Sequence, residues 1–292
     1  MTQYKIIEID GLRVFYREAG DKDRPTLLLL HGFPASSFMF RELMERLADE
    51  FHLIAPDYPG FGYSDAPSPK QFSYTFDKLA DVIEGFTEKL GLKRYGLYMQ
   101  DFGGPVGFRL AIRNPEKITG LIIQNANAYE EGLPDSFWGP ARALWTDSSE
   151  ESFAVIRQAA MSEQALEWNY THGVKDVSKI SPDSWKLQEA LLSRPENKEI
   201  MLALLYDYRT NLGLYPAWQE YFRKSQPPAL VVWGKNDIIF PASGAFPYQR
   251  DLKTVDFNLL DTGHFALEEE GEAIAAHIRR FWVCVRDVLH SG

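Results

Sequence analysis

Several features that mark particular classes of protein are missing from this sequence. The 292 residues include one cysteine, Cys284, so an intrachain disulfide is excluded, as is typical of a reducing compartment. Because Cys284 lies among apolar residues in FWVCVRDVL, we expect it in the core. The opening MTQYKIIEID has no basic stretch before an apolar run, and no apolar run reaches the ~18 residues of a membrane span. We therefore expect a cytoplasmic protein without a signal peptide or a membrane contact.

Positive charge is also in short supply. Lysine and arginine total 31 against 41 aspartate and glutamate residues, which gives a formal net charge of −10. This balance disfavours a nucleic-acid partner, which would need a basic surface. The six histidines are scattered without metal-ligand spacing, and no phosphate-cradling glycine loop occurs. We expect no metal, no cofactor, a small-molecule partner, and a monomer or homodimer.

Apolar strands that alternate with amphipathic helices are abundant. YKIIEID and LRVFYREAG predict a hairpin that turns at Asp10–Gly11. Buried strands are predicted at PTLLLLHG, FHLIAPDYPG, KRYGLYM and KITGLIIQN, with helical segments between them. Repeated strand–helix alternation predicts an α/β fold, with a mostly parallel central sheet and helices on both faces.

The alternation stops near residue 130. Residues 130–226 have a helical pattern and hold five of the seven tryptophans: Trp138, Trp145, Trp168, Trp185 and Trp218. Strands return at PPALVVWG and TVDFNLLD, and a closing helix is predicted from about Gly271 to Leu289. We expect a core domain of residues 1–129 and 227–292 and a helical cap of residues 130–226, because sites collect on the loops of such sheets. The alternative is that residues 130–226 only enlarge the core.

Polar residues follow three of the predicted strands. Asp101 follows KRYGLYM, Asp237 follows PPALVVWG, and His264 follows TVDFNLLD. The carboxyl ends of parallel strands share one edge of the sheet, and an order of nucleophile, acid and histidine matches a known catalytic arrangement. The backbone N–H groups of Phe33 and Phe102 could form an oxyanion hole. The structural alternatives are a helix N-cap for Asp101, a turn residue for Asp237, and a core histidine for His264.

Five motifs, in this order, resemble the α/β-hydrolase family. They are HGFP at 31–34, DYPGFGYSD at 57–65, QDFGG at 100–104, GKND at 234–237 and TGHF at 262–265. Within that family the chain resembles the branch of epoxide hydrolases and haloalkane dehalogenases, which use an aspartate nucleophile. The resemblance implies that Asp101 is the nucleophile, His264 the base and Asp237 its orienting acid.

An aspartate at this turn indicates reaction at a saturated carbon. A serine attacking such a carbon would form an ether, whereas a carboxylate forms an ester that water can hydrolyse. His264 would activate the water, and Asp237 would hold its imidazole. The expected substrate is small and apolar, since the cap is rich in aromatic residues.

The leaving group separates two activities, of which epoxide hydrolysis to a diol is the first interpretation. The stretch LLYDYRTNLG resembles the branch's cap motif and makes Tyr208 the expected proton donor, although Tyr208 could simply pack the cap. Trp145 stands where a second tyrosine is expected, and Tyr170 is a candidate for that role by residue type. Haloalkane dehalogenation is the alternative, to which Asn125 could contribute an N–H donor.

The remaining assignments concern the pocket and a different class of function. We assign the substrate-binding surface to His31, Pro34, Asn125, Trp138, Trp145 and Tyr170. Phe33 and Phe102 also suit an apolar pocket. A non-catalytic binding protein is the alternative of another class, because a fold alone does not imply a reaction.

Overall fold

An eight-stranded sheet in the order β1-β2-β4-β3-β5-β6-β7-β8 is the centre of the fold. The computed structural model describes residues 1–290, and side chains up to residue 285. The strands are β1 Gln3–Ile9, β2 Leu12–Ala19, β3 Thr26–Leu30, β4 His52–Pro56, β5 Tyr95–Gln100, β6 Ile118–Gln124, β7 Ala229–Gly234 and β8 Val255–Leu260. β2 pairs antiparallel with β1 and β4, and the other neighbours pair in parallel. The predicted α/β class is confirmed.

The first two strands form the predicted hairpin. Asp10 and Gly11 connect them with φ angles of 48° and 81°. Two consecutive residues of positive φ are typical of a type I′ turn, whose twist suits antiparallel strands, and glycine adopts such a φ at little cost. The register pairs Ile9 with Leu12 directly across this turn.

Eleven α-helices occur within residues 1–290, and none of them is both long and apolar enough to cross a bilayer. They are α1 Arg41–Leu47, α2 Phe76–Lys89, α3 Gly103–Arg113, α4 Asp135–Asp147, α5 Glu150–Met161, α6 Glu163–Thr171, α7 Asp183–Leu192, α8 Asn197–Asp207, α9 Arg209–Ser225, α10 Tyr248–Asp251 and α11 Ala266–His290. Helices α4 to α9 lie between β6 and β7, and we call them the inserted helices.

Helices cover both faces of the sheet. Met99 of β5 lies against Gly107 of α3, whereas Gly96 of the same strand lies against Trp282 of α11. Because successive side chains of a strand point to opposite faces, residues 96 and 99 face opposite sides. Helices α3 and α11 therefore pack on opposite faces, as the strand–helix alternation predicts.

The closing helix begins earlier than predicted. Helix α11 starts at Ala266 rather than near Gly271, and Glu270 (φ −112°, ψ 25°) interrupts its helical backbone. A short helical turn thus follows the loop of residues 261–265, and the interruption separates this turn from the helix that the periodicity predicts.

The expected core position of Cys284 is wrong. Its side chain is exposed, whereas Phe281, Trp282 and Val285 of the same helix are buried. These three side chains occupy the face that packs on the sheet. Cys284 therefore points to solvent, although its neighbours in the sequence are apolar.

One contact joins the inserted helices to the start of α2. Asp207, at the end of α8, accepts a hydrogen bond of 2.8 Å from the Phe76 N–H group. Thr75 caps the same helix by accepting a bond from the Lys78 N–H group at 3.1 Å. These side chains satisfy two of the N–H groups that the first turn of a helix leaves without intrahelical partners.

Candidate active site

Three side chains that follow strand ends meet at one buried place. Asp101 follows β5, Asp237 follows β7 and His264 follows β8. The His264 Nδ1 atom lies 2.7 Å from Asp237 Oδ2, and its Nε2 atom lies 3.8 Å from Asp101 Oδ2. All three side chains are buried. The structure therefore brings together the residues that the sequence analysis placed at one edge of the sheet.

Asp101 occupies a tight turn between β5 and α3. Its φ of 49° lies in the left-handed region, which is uncommon for residues other than glycine. A Cβ atom on Gly103 would lie 2.1 Å from the Leu30 carbonyl oxygen, and one on Gly32 would lie 2.3 Å from Asp101 Cβ. Both positions need glycine for this close approach. Backbone strain of this kind persists only where the surroundings fix it, and it is common at functional sites.

Backbone N–H groups contact the Asp101 carboxyl group. The Phe33 N–H group donates to Oδ1 at 2.6 Å, and the Phe102 N–H group also bonds the carboxyl group. Burial raises the pKa of Asp101 to about 6, although the charge of His264 and the two N–H groups oppose this shift. The carboxyl group is consequently ionised in most molecules at neutral pH.

The two ring nitrogens of His264 have different partners. Burial lowers the pKa of His264, but the charge and hydrogen bond of Asp237, together with the charge of Asp101, outweigh it and leave the pKa above its usual value. At the other nitrogen, Gln100 Nε2 lies 3.0 Å from His264 Nε2. The Gln100 amide can donate to neutral imidazole, and in the reversed orientation its oxygen can accept from imidazolium.

A cavity of ≈ 170 Å³ lies beside these residues. Its wall is mostly apolar, and it consists of Phe33, Asp101, Phe102, Phe137, Trp138, Pro140, Ala141, Leu144, Ile156, Ala159, Ala160, Trp168, Asn169, Leu205, Ile239 and His264. An apolar cavity of about 150 Å³ is large enough to hold benzene. The cavity can therefore accommodate a small apolar molecule next to a carboxylate and an imidazole.

Comparison with known proteins identifies the family. A family described as having the alpha/beta hydrolase fold matches residues 25–271. The chain belongs to the α/β-hydrolase family. This hydrolase is 43% identical over 277 residues to uncharacterized hydrolase YNR064C of Saccharomyces cerevisiae, with 94% of this chain and 95% of the relative covered.

Two further relatives of the hydrolase carry the names of the two predicted activities. Haloalkane dehalogenase 2 of Mycobacterium tuberculosis is 26% identical over 279 residues, which cover 91% of this chain and 90% of the relative. Epoxide hydrolase 3 of Xenopus tropicalis is 29% identical over 245 residues, which cover 80% of this chain and 64% of the relative. The predicted family is thus confirmed.

Of the hydrolase's predicted substrate-binding residues, Trp138 lines the cavity. The lining does not include His31, Pro34, Asn125, Trp145 or Tyr170. Each of these five side chains has contacts elsewhere in the fold, and their assignment to the substrate surface stays a prediction.

His31 and Pro34 shape the loop that presents the Phe33 N–H group. His31 is fully buried, its Nδ1 atom bonds the next carbonyl oxygen at 3.0 Å, and its Nε2 atom lies 3.4 Å from the Tyr58 N–H nitrogen. Burial lowers the pKa of His31. The Pro34 carbonyl oxygen accepts a bond of 3.4 Å from the Tyr170 hydroxyl group. None of these residues is part of the cavity lining.

Asn125 supports Asp237 instead of facing a substrate. Its Nδ2 atom donates to Asp237 Oδ2 at 2.8 Å, and its Oδ1 atom accepts from the Gly234 N–H group at 2.9 Å. Both ends of the amide are therefore used within the protein. Asn125 thus fixes the carboxylate that in turn contacts His264.

The aromatic side chains of the predicted cap are also engaged elsewhere. The Trp138 and Trp145 N–H groups donate to the carbonyl oxygens of Ile239 and Leu205, at 2.8 and 3.0 Å. Tyr170 stacks on Phe265 with ring centroids 3.9 Å apart. The two indole N–H groups are consequently bonded to the backbone rather than directed into the cavity.

Tyr208 is fully buried in a group of aromatic rings next to the cavity. Its ring centroid lies 4.9 Å from that of Trp138 and 6.0 Å from that of Phe102, both of which line the cavity. Burial raises the pKa of Tyr208 well above its usual value, and the neighbouring Tyr215 adds to the shift. The Tyr208 hydroxyl group is therefore protonated at neutral pH, and within the described residues it has no hydrogen-bond partner.

The sequence analysis missed Asn169, the one carboxamide on the described cavity wall. Asn169 belongs to the buried face of α6, which also carries Leu166 and Tyr170. The sequence does contain one signal for this residue: Asn169 is polar, whereas the other residues at the same helical spacing are apolar.

Within the described residues, no group of three or more histidine, cysteine, aspartate or glutamate side chains is arranged to hold a metal ion. The site's two carboxylates contact the imidazole of His264 instead. This arrangement is suited to proton transfer and to attack by a carboxylate oxygen.

Proposed function

We propose that this hydrolase cleaves a bond at a saturated carbon through an ester on Asp101. The supporting observation is that the two carboxyl oxygens have different surroundings. Oδ1 is bound by the Phe33 N–H group at 2.6 Å, whereas Oδ2 lies 3.8 Å from His264 Nε2. Since the backbone holds Oδ1, Oδ2 is the oxygen available to attack a carbon atom in the cavity.

In the first step, Asp101 Oδ2 forms a bond to the substrate carbon as the bond from that carbon to the leaving atom breaks. The electron pair of the broken bond stays with the leaving atom. The product is an ester between Asp101 and the substrate. An apolar cavity favours this step because it replaces water around the carboxylate.

In the second step, water attacks the ester at the carboxyl carbon of Asp101. His264 takes a proton from this water, and the negative charge of Asp237 stabilises the resulting imidazolium. The N–H groups of Phe33 and Phe102 stabilise the oxygen that becomes negative. As this intermediate breaks down, the imidazolium gives its proton to the departing oxygen, which leaves as an alcohol, and the regenerated Asp101 carboxyl group loses its proton to restore the carboxylate.

The proposal includes a cap domain of residues 130–226 on a core of residues 1–129 and 227–292. Four of the inserted helices, α4, α5, α6 and α8, supply side chains to the cavity wall. Asp101 and His264 come from the strand ends of the core. The substrate would therefore lie between the two parts, which gives the inserted helices control over its shape.

An epoxide is the substrate class that we favour. A halide leaving group needs N–H donors, but the N–H groups of Trp138 and Trp145 are bonded to backbone carbonyl oxygens. The side chain that follows Asp101 is Phe102, which has no N–H group. An opened epoxide instead needs a proton, and the raised pKa of Tyr208 keeps its phenol protonated.

Tyr208 is our proposed proton donor. Its ring lies next to Trp138 and Phe102 on the cavity wall, but Tyr208 does not itself line the cavity. Proton transfer to a substrate therefore requires a shift in these aromatic rings. Tyr208→Phe, which keeps the ring, should slow ester formation with epoxides and leave ester hydrolysis unchanged.

Haloalkane dehalogenation is the second candidate function. Trp168 lines the cavity, and within the described residues its N–H group makes no hydrogen bond. Haloalkane dehalogenase 2, a relative by sequence, carries this activity in its name. A halide at Trp168 would be stabilised by that N–H group.

The test is the intact mass of the His264→Gln variant after incubation with an epoxide panel and a haloalkane panel. This change should allow the first step and block the second, so the ester accumulates. A mass gain equal to the whole epoxide supports epoxide hydrolysis. A gain equal to an alkyl group without its halogen supports dehalogenation.

The control is the double variant His264→Gln, Asp101→Asn, which should gain no mass. An adduct that persists in this variant would show that another residue is alkylated. If the single variant gains no mass from either panel while still binding the compounds, the ester mechanism is wrong and a binding protein is the better interpretation.

A further inference from the structure

One polar group on the cavity wall has no role in the steps above. Asn169 of α6 is 8% exposed and lines the cavity together with Asp101 and His264. Within the described residues, no partner makes a hydrogen bond to its carboxamide. The same side chain also borders a narrow crevice lined by Asp237 and His264.

Asn169 places a polar group on a wall that is otherwise mostly apolar. Leu166 and Tyr170, its neighbours on the buried face of α6, are apolar or bonded elsewhere. The carboxamide offers two N–H donors and one acceptor oxygen to whatever occupies the cavity. Leucine has nearly the same shape and would suit the apolar wall without these groups. The amide therefore fits a site that a ligand completes.

We propose that the Asn169 carboxamide holds the atom that leaves carbon when Asp101 attacks; this inference rests on the proposed function. As the Asp101 Oδ2–carbon bond forms, the carbon–oxygen bond of the epoxide breaks and its electron pair stays on the oxygen. The Asn169 Nδ2–H group donates a hydrogen bond to this oxygen. The oxygen then takes up the proton that Tyr208 supplies in the proposed mechanism.

Asn169 acts here by hydrogen bonding and gives up no proton. A neutral amide N–H donor stabilises charge that develops on an oxygen, and it does so best in a cavity from which water is excluded. The indole N–H groups on the wall differ from this amide. The Trp138 N–H group is bonded to the Ile239 carbonyl oxygen, and the Trp168 N–H group is the donor that the alternative dehalogenation would use.

The experiment compares the two steps separately in wild type and Asn169→Leu. Rapid mixing with an epoxide, acid quench and intact mass give the rate of ester formation and the rate of its disappearance. Loss of one such donor typically slows a reaction on the order of 100-fold. We expect ester formation to fall by about this factor and ester hydrolysis to change less than about twofold, since Asn169 contacts only the leaving atom.

Two variants provide controls. Asn169→Ser keeps a hydrogen-bond donor and should recover part of the rate of ester formation. Gln164→Leu makes the same amide-to-leucine change on the exposed side of α6 and should leave both rates unchanged. The melting temperature of Asn169→Leu should equal or exceed that of wild type.

Three outcomes would overturn the inference. Ester formation at the wild-type rate in Asn169→Leu would show that the amide does not hold the leaving atom. A clearly lower melting temperature would show that the amide is structural. Equal slowing of ester formation and ester hydrolysis would indicate a general disturbance of the cavity. Failure of the wild-type protein and His264→Gln to form any ester would instead reject the proposed function itself.

Discussion

The strand ends and the inserted helices border the same cavity but use their polar groups differently. At the strand ends, His264 contacts both Asp237 and Asp101, at 2.7 and 3.8 Å. In the inserted helices, the N–H groups of Trp138 and Trp145 are bonded to backbone carbonyl oxygens, and the wall is mostly apolar. In the proposed mechanism, the strand ends therefore supply the reacting groups, and the inserted helices determine which molecules reach them.

The largest expected effect comes from the strand ends. Asp101→Asn removes the proposed nucleophile, and we expect turnover to fall by at least ~10⁴-fold, since loss of a catalytic nucleophile typically has this effect. The measurement is the rate of product formation with a substrate from the mass experiment. Retention of more than a few per cent of the activity would break the assignment of the reaction to the strand ends.

The same variant should be more stable than wild type. Because burial raises the pKa of Asp101 from 3.8 to about 6, its ionisation costs stability progressively between these two values and to the full extent above about pH 6. Asparagine avoids this cost. A shift of about two pKa units corresponds to about 3 kcal/mol, since one pKa unit is worth about 1.4 kcal/mol. Chemical denaturation should show the gain at pH 8 and a smaller gain at pH 5. An equal difference at both pH values would contradict this origin.

The second effect is a dependence of ester formation on pH. Asp101 attacks as a carboxylate, so the rate should fall about tenfold per pH unit below its pKa of about 6. Single-turnover measurements between about pH 4.5 and 8 would show this, because this range spans about two pH units on either side of the pKa. In His264→Gln the midpoint should move to higher pH, because the charge of His264 lowers the pKa of Asp101. A shift to lower pH would contradict the contact between the two residues.

The smallest effect is expected at the inserted helices. Trp138→Phe removes the hydrogen bond to the Ile239 carbonyl oxygen and should cost about 1 kcal/mol of unfolding free energy. The ratio of ester-formation rates for epoxides and haloalkanes should stay the same, because this N–H group faces the backbone. A lower rate of ester formation with haloalkanes alone would show that the indole N–H group reaches the leaving atom. The inserted helices would then take part in the reaction as well.

The sequence predicted the strand ends better than the inserted helices, for a physical reason. A buried strand followed by a polar turn is a local pattern, and parallel strands bring such turns to one edge, so Asp101, Asp237 and His264 were found together. The position of Trp145 or Tyr170 depends on how a helix is rotated and packed. A single sequence carries little information on that packing.

Two other differences between the prediction and the structure, at Asn125 and Asn169, also depend on packing. Asn125 follows a strand end, as predicted, but its amide could face either the cavity or Asp237, and the turn geometry decided for Asp237. Asn169 is separated from every motif in the sequence. Its side chain faces the cavity only because several helices together build the wall. Its presence on an apolar helical face was the only local sign.

The hydrogen bond between Asp207 and the Phe76 N–H group has a consequence for solution measurements. Any separation of α8 from the core removes this acceptor from the first turn of α2. The Phe76 amide hydrogen would then exchange with deuterated solvent each time the two parts come apart, and binding of a ligand between them would slow that exchange. The exchange rate of a single backbone amide outside the cavity therefore reports how often the cavity opens.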